Sequence, residues 1–323
     1  MFAAPPFAPQ PWLRGRHLQS ILPSFPGRRA LVERRARPLR QAARELLLDG
    51  GEGVRLQGFH SPSEGRSLVV LLHGWEGSAD SLYILSLGQA LFAQGYDVVR
   101  LNLRDHGDTH HLNSELFHSC RLPEVLGAVR SLQQRFPSQQ VSLVGFSLGG
   151  NFMLRVAAEA PRVGLALRRV VAISPVLNPE NSLAALDSGF FLYRWYFVRK
   201  WIRSLRRKQR AWPGRFEFGD LLESRSLGPM TQELVLKHTD YPDLASYFRG
   251  YSITGERLAL LQVPSTIVMA EDDPIIPAAD LVHLARPATL KVIATKTGGH
   301  CGFFESFTSP GWIERLVLAE LRA

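Results

Sequence analysis

Val141-Ser142-Leu143-Val144-Gly145-Phe146-Ser147-Leu148-Gly149-Gly150 is the stretch on which the reading of this chain turns. A short apolar run ends in G-x-S-x-G, and a helical pattern follows. That is the context a nucleophile-elbow serine requires: a sharp turn between a buried strand and a helix. A side chain at Gly145 or Gly149 would crowd the turn, and glycine also accepts the backbone angles such turns use. The helix behind Ser147 points backbone N–H groups at developing negative charge. A bare G-x-S-x-G also arises by chance, so its weight comes from what stands around it.

Three further features lie in a consistent order. Upstream, Ser67 to Leu72 (SLVVLL) reads as a buried strand, followed by His73-Gly74-Trp75-Glu76-Gly77. A turn there brings the N–H of Trp75 towards the serine, with the N–H of Leu148 as second donor. Such a pair forms an oxyanion hole, each donor worth about 3 kcal/mol of barrier. An ordinary strand-to-helix turn is the competing reading. Downstream, the strand Thr266 to Ala270 runs into Glu271-Asp272-Asp273-Pro274-Ile275-Ile276-Pro277, which offers an acid at a strand end. An aspartate before proline also caps or turns a chain. Last, His300 lies in the glycine-rich loop Thr297-Gly298-Gly299-His300-Cys301-Gly302, after the strand Leu290 to Ala294. A loop histidine is often only a surface residue, but this one follows the last strand, where a general base is needed.

The chain resembles the α/β-hydrolase superfamily and, within it, the YheT-type bacterial esterases, which are related to eukaryotic α/β-hydrolase-domain lipases and phospholipases. The residues that carry the likeness are Trp12-Leu13-Arg14-Gly15-Arg16-His17-Leu18-Gln19-Ser20, His73-Gly74-Trp75-Glu76-Gly77-Ser78, Asn102-Leu103-Arg104-Asp105-His106-Gly107, Leu116-Phe117-His118-Ser119 and the elbow itself. The likeness covers nearly the whole chain. The catalytic motifs are superfamily-wide; the N-terminal opening and N-L-R-D-H-G are more specific to the branch. The order serine, acid, histidine is that of α/β-hydrolases. The resemblance selects Asp273 over Asp272, because Asp273 begins a D-x-x-x-P turn common after that strand. It thus implies a Ser147–Asp273–His300 triad, an oxyanion hole from Trp75 and Leu148, no cofactor and a carboxylic ester as substrate. Epoxide hydrolases and haloalkane dehalogenases are disfavoured, since they carry aspartate on the elbow.

Charge adds a second theme. The 323 residues carry a formal net charge of +9. Residues 1–44 hold nine arginines against Glu33 alone, and residues 190–215 hold nine lysines or arginines and no acid. One reading is attraction to anionic surfaces, lipid headgroups above all; the other is a solvated face. No nucleic-acid recognition motif appears. Cys120 and Cys301 form no disulfide framework, and Cys301, beside the histidine, reads as packing. The proline-rich opening Met1 to Gln10 lacks the charged start and apolar run of a signal peptide. No apolar run approaches the ~18 residues of a spanning helix. The expectation is a cytoplasmic protein, peripheral on a membrane if the basic stretches bind lipid.

Along the chain, residues 1–42 read as an irregular extension, with Pro23, Pro26 and Pro38 as breakers. Leu46 to Leu48 and Val54 to Phe59 read as a hairpin. Strands follow near 68–72, 97–103, 141–145, 169–173, 265–270 and 289–294, alternating with helices near 81–94, 121–136, 149–160, 277–285 and 311–322. This pattern predicts an α/β fold with a mostly parallel sheet covered on both faces. Residues 43–175 and 264–323 form its catalytic domain. Residues 176–263 read as a helical cap insertion, aromatic and basic around Phe190 to Val198. By the resemblance, an insertion there lies over the pocket and lines an apolar acyl tunnel, although such aromatics mostly pack a cap onto its core. His106, His110, His111 and His118 with Asp105 and Asp108 raise a metal site as an alternative, but the spacing fits no standard zinc pattern, and the cluster reads as pocket-lining and structural. The expected activity is serine hydrolysis of short- to medium-chain acyl esters or lipid-derived esters. The rival is a non-catalytic lipid- or partner-binding protein on the same scaffold, which has no need of an intact triad.

Overall fold

The computed structural model describes residues 6–65, 67–307 and 311–323. Of the proline-rich opening, residues 1–5 lie outside the described residues. Eight strands form one sheet: β1 Arg44–Gly51, β2 Val54–Ser61, β3 Ser67–Leu72, β4 Asp97–Leu101, β5 Gln140–Phe146, β6 Leu167–Ile173, β7 Ser265–Ala270 and β8 Leu290–Thr295. Their spatial order is β1-β2-β4-β3-β5-β6-β7-β8. The first hairpin is antiparallel, as is its junction with β4, and every other pairing is parallel. The helices are α1 Arg16–Ile21, α2 Arg29–Arg35, α3 Arg37–Ala42, α4 Leu82–Phe92, α5 Leu122–Arg135, α6 Leu148–Glu159, α7 Pro179–Ser188, α8 Phe191–Ala211, α9 Leu227–His238, α10 Leu244–Tyr251 and α11 Trp312–Arg322. The segment near 277–285, expected as a helix, is a 3-10 turn over Ala278–His283.

Both faces of the sheet are buried, and the period of two along each strand sorts its residues between two cores. On β3, Leu68, Val70 and Leu72 point into the core shared with α5, α6 and the segment after β6. Val69 and Leu71 point into the core built with α2, α3, α4 and α11. A strand buried on both sides must be apolar throughout, which is why SLVVLL shows no alternation.

Residues 1–42 depart from the sequence reading. Instead of an irregular extension, they contain α1, α2 and α3, and Val32, Ala36 and Leu39 are buried in the second core. The prolines do not break these elements. Pro11, Pro23, Pro26 and Pro38 each stand in the first two positions of a short helix. No N–H is needed there, and the fixed φ suits the first turn.

Between β6 and β7 the chain makes α7, α8, α9 and α10 and no strand. This helical insertion is tied back to the sheet by a buried polar network. Lys208 of α8 is 1% exposed and donates to Asp105 Oδ1 (2.8 Å), Asn113 C=O (2.6 Å) and Glu115 C=O (2.8 Å). Asp105 also accepts from the Phe117 N–H at 2.9 Å, and Arg104 makes two bonds to the buried Glu124. A buried charge is tolerated only when so fully satisfied. The N-L-R-D-H-G stretch is therefore the anchor between sheet, α5 and α8.

Candidate active site

Ser147 is the single residue between β5 and α6. Its φ of 52° and ψ of −120° lie in a region that non-glycine residues rarely occupy, a strain of about 1–3 kcal/mol. The surroundings hold it there. Its N–H donates to Ile173 C=O (2.8 Å), and its C=O accepts from Asn151 N–H (3.1 Å). The two motif glycines serve by close approach alone. A Cβ on Gly145 would lie 2.4 Å from the Gly149 backbone, and one on Gly149 would lie 2.4 Å from the carbonyls of Leu72 and His73. Neither has a positive φ, so the part of the sequence reading that credited them with unusual backbone angles is corrected: the serine itself carries that angle.

The loop after β3 passes directly beside the serine. A Cβ on Gly74 would lie 3.1 Å from Ser147 Cβ and 3.6 Å from its Oγ. Hydrogen bonds pin the loop on both sides of Trp75. The buried His73 has its Nδ1 at 2.7 Å from Gly74 C=O and its Nε2 at 3.2 Å from Leu103 N–H. A carbonyl can only accept and an amide can only donate, so the proton is on Nδ1 and the ring is neutral. Burial holds its pKa well below the usual 6.5, consistent with that state. Gly74 N–H donates to Tyr83 Oη at 3.1 Å. Among the described residues, the N–H groups of Trp75 and Leu148 have no acceptor, and both residues line the cavity that holds Ser147.

The two neighbouring acids diverge. Asp273 Oδ1 accepts from the N–H groups of Ile275 (2.8 Å) and Ile276 (2.9 Å), which turns Oδ2 onto His300 Nδ1 at 2.8 Å. Asp272 instead accepts the Gly299 N–H at 2.9 Å. For His300, burial pulls the pKa down, but the Asp273 carboxylate and the Cys301 side chain outweigh it, and the pKa lies well above 6.5. His300 and Ser147 line the same cavity, with no hydrogen bond between them in this structure. Such bonds commonly tighten only when substrate is present. Cys301 is buried against Ile173 C=O, with its N–H on Ser174 Oγ.

The sequence reading attached no role to Gln19 and Ser20. Ser20 Oγ accepts the His300 N–H at 2.8 Å and donates to Arg16 C=O at 2.7 Å. Gln19, fully buried, donates to the carbonyls of Leu13 and Phe304 and accepts from Phe304 N–H. The N-terminal helix α1 is thus the wall against which the histidine loop is set. Gly299, with φ of +56°, packs so closely that a Cβ would lie 2.4 Å from Arg16 C=O. The signal that could have found these residues was the quoted W-L-R-G-R-H-L-Q-S opening, which ends on this Gln-Ser pair.

The cavity measures about 480 Å³ and is mostly apolar, walled by residues such as Phe25, Trp75, Leu183, Trp201, Phe248 and Ile276. Of the six aromatics in Phe190 to Val198, four reach it: Tyr193, Trp195, Tyr196 and Phe197. Trp75 stacks on Phe197 with centroids 5.3 Å apart, so the helical insertion rests on the loop beside the serine. The histidine cluster disperses. His106 bonds Arg104 C=O, His110 pairs with Ser204, His111 is exposed and His118 lines the cavity facing Tyr241 and Tyr247. Among the described residues, no three histidine, cysteine or acidic side chains gather into a metal-holding group.

A family model described as the alpha/beta hydrolase fold matches residues 67–307. The Escherichia coli protein YheT, an esterase by inference, is 25% identical over 307 residues, spanning 92% of this chain and 86% of its own. A monoacylglycerol lipase of Saccharomyces cerevisiae is 22% identical over 282 residues, 81% of this chain and 62% of that one. Among solved structures, the Pyrococcus furiosus esterase Pf2001 superposes with a TM-score of 0.58 at 14% identity, covering 87% of this chain and 92% of the other. The Bacillus subtilis carboxylesterase CesB does so with a TM-score of 0.54 at 17% identity, covering 91% and 98%. At these identities the structural likeness is one of fold.

Proposed function

Since the chain belongs to the α/β-hydrolase family, we propose that it is a serine carboxylic ester hydrolase acting on short- to medium-chain acyl esters or lipid-derived esters. The observation that carries the reading is the Asp273–His300 hydrogen bond at 2.8 Å in the same cavity as an elbow serine. With Nδ1 bound to the carboxylate, Nε2 is left as the acceptor. It takes the proton from Ser147 Oγ as that oxygen attacks the ester carbonyl. The N–H groups of Trp75 and Leu148 receive the negative charge of the tetrahedral intermediate. His300 then gives its proton to the leaving alcohol, and water deprotonated by His300 releases the acid from the acyl-enzyme. An apolar cavity of about 480 Å³ supports an acyl group of modest length. The deciding experiment is labelling of the purified protein by a fluorophosphonate probe: stoichiometric labelling is expected. A folded protein that stays unlabelled returns the chain to the rival reading, a binding protein on this scaffold.

The histidine also sets a pH dependence. Only neutral His300 accepts the serine proton, and its pKa is raised above 6.5, chiefly by Asp273 against burial. Activity is therefore lost as pH falls through that raised value. The kcat/KM profile on a soluble ester is expected to rise with a midpoint above 6.5. A midpoint at or below that value would mean the carboxylate does not govern the ring.

The same reading extends to an anionic membrane surface. Helix α8 carries eight lysines or arginines and no acid. Its exposed face is apolar at Phe191 (60% exposed) and Trp195 (53%), then cationic at Arg199, Arg206 and Arg210. Among the described residues no helix is long and apolar enough to cross a membrane. Contact of this kind is peripheral, and screening limits its reach to about 8 Å at physiological ionic strength. Co-sedimentation with anionic vesicles is expected, weakening as salt rises and on replacing Arg199, Arg206 and Arg210 with glutamine. Hydrolysis of a soluble ester should be unaffected. Equal sedimentation with neutral and anionic vesicles, or none, removes the membrane.

A further inference from the structure

Beside the apolar cavity lies a second one of about 240 Å³, and its lining is polar. Ser24, Gly77, Ser81, Tyr196 and Lys200 line both, so the two are adjoining rooms with a common wall. Along α8 the residues Tyr196, Lys200, Arg203 and Arg207 follow one another at i, i+4, i+7 and i+11, one face of the helix running from the first room into the second.

The charges in this lining do not cancel. Asp80 is matched by Arg100 at 2.7 Å and Asp105 by Lys208 at 2.8 Å, and neither partner belongs to the cavity wall. Burial pushes the Glu76 carboxyl up to about 7 against the pull of Lys200, Arg207 and Arg203, so near neutrality it is only partly ionised and offsets these cations in part. Against these acids stand Arg29, Lys200, Arg203 and Arg207. Arg29 pairs with the half-buried Glu33, and Arg207 with the exposed Asp108 and the Gly107 carbonyl; both arginines are themselves exposed, so the hold of these pairs is weak in water. Lys200 donates to the Glu76 carbonyl and lies 5.1 Å over the Tyr196 ring. Among the described residues, Arg203 has no carboxylate at ion-pair distance. Clustered guanidinium and ammonium donors in a pocket are the chemistry that takes a phosphate.

Resting on the reading of Ser147 as nucleophile, we propose that this second cavity is an anion subsite formed by Lys200, Arg203 and Arg207, and that the substrate is an acyl ester whose alcohol part carries a phosphate. The acyl chain occupies the apolar room, the carbonyl lies at Ser147, and the phosphate enters the cationic one. Charge-assisted hydrogen bonds of this kind are worth about tenfold or more in affinity.

The test compares two monomeric substrates in one buffer without vesicles: octanoylglycerol and octanoylglycerol phosphate. The wild-type protein is expected to show kcat/KM at least about tenfold higher for the phosphorylated ester. The double variant Arg203→Gln, Arg207→Gln is expected to bring the ratio near one. Because the readout is a ratio within each protein, a general loss of activity cannot mimic it. Inorganic phosphate should inhibit hydrolysis of the phosphorylated ester more than that of the neutral one. Equal kcat/KM in the wild type, or a preference that survives the double variant, overturns the proposal. A preference that emerges only with vesicles also overturns it, placing the anion effect on the surface. Failure of both substrates together with absence of fluorophosphonate labelling is instead the failure of the serine mechanism.

Discussion

Replacing Ser147 with alanine is expected to lower hydrolysis of a p-nitrophenyl ester by roughly a millionfold in kcat, with the fold unchanged. The attacking atom is lost, and with it every later step. Alanine removes one oxygen at a partly exposed position. The bonds that hold the elbow are made by the backbone of residue 147 and survive the substitution. Circular dichroism and thermal melting should therefore match the wild type. Substantial activity in such a folded variant would remove the serine mechanism altogether.

The second large effect separates two adjacent residues. In Asp273→Asn, the side-chain oxygen remains the best acceptor for the N–H groups of Ile275 and Ile276, now held at 2.8 and 2.9 Å. The new NH₂ group is then turned onto His300 Nδ1, where it can only donate. Nδ1 must lose its proton, Nε2 must carry it, and the ring can no longer accept from the serine. A wrong tautomer of this kind costs about ten-thousandfold in kcat. Asp272→Asn keeps an oxygen for the Gly299 N–H and should cost less than about tenfold. Steady-state kinetics on the two variants decide between them, and the reverse order would move the acid by one residue.

How legible the chain was depends on where each feature's information is stored. The strands were readable because a sheet buried on both faces writes itself as short apolar runs; β3 and β5 are plain in SLVVLL and VSLVGF. The elbow was readable because contacts of 2.4 Å leave glycine as the only residue that fits at two positions. Only the resemblance separates Asp273 from Asp272 in the sequence, since which carboxylate meets the ring is set by the N–H groups of the residues after it. The helices of residues 16–42 are hidden from a reading that treats proline as a breaker, because proline here opens the first turn of several short helices. Gln19 and Ser20 are illegible for another reason, and the basic run of α8 is legible as charge but not as a cavity wall. Their partners lie far away along the chain, and nothing local records the pairing of the N-terminal opening with the last loop, or of α8 with residues 76–107.

The Ser20–His300 hydrogen bond spans 280 residues of sequence. A ribosome delivers the chain from its N-terminus at about 5–20 residues per second. The helix that supports the histidine loop is therefore made long before its counterpart. Until the histidine loop has emerged, Gln19 and Ser20 bond only within their own segment, and Ser147 stands without His300. On the proposed mechanism, hydrolytic competence waits for residue 300 to emerge, and a nascent chain, or one cut before that residue, would carry Ser147 in an inert form.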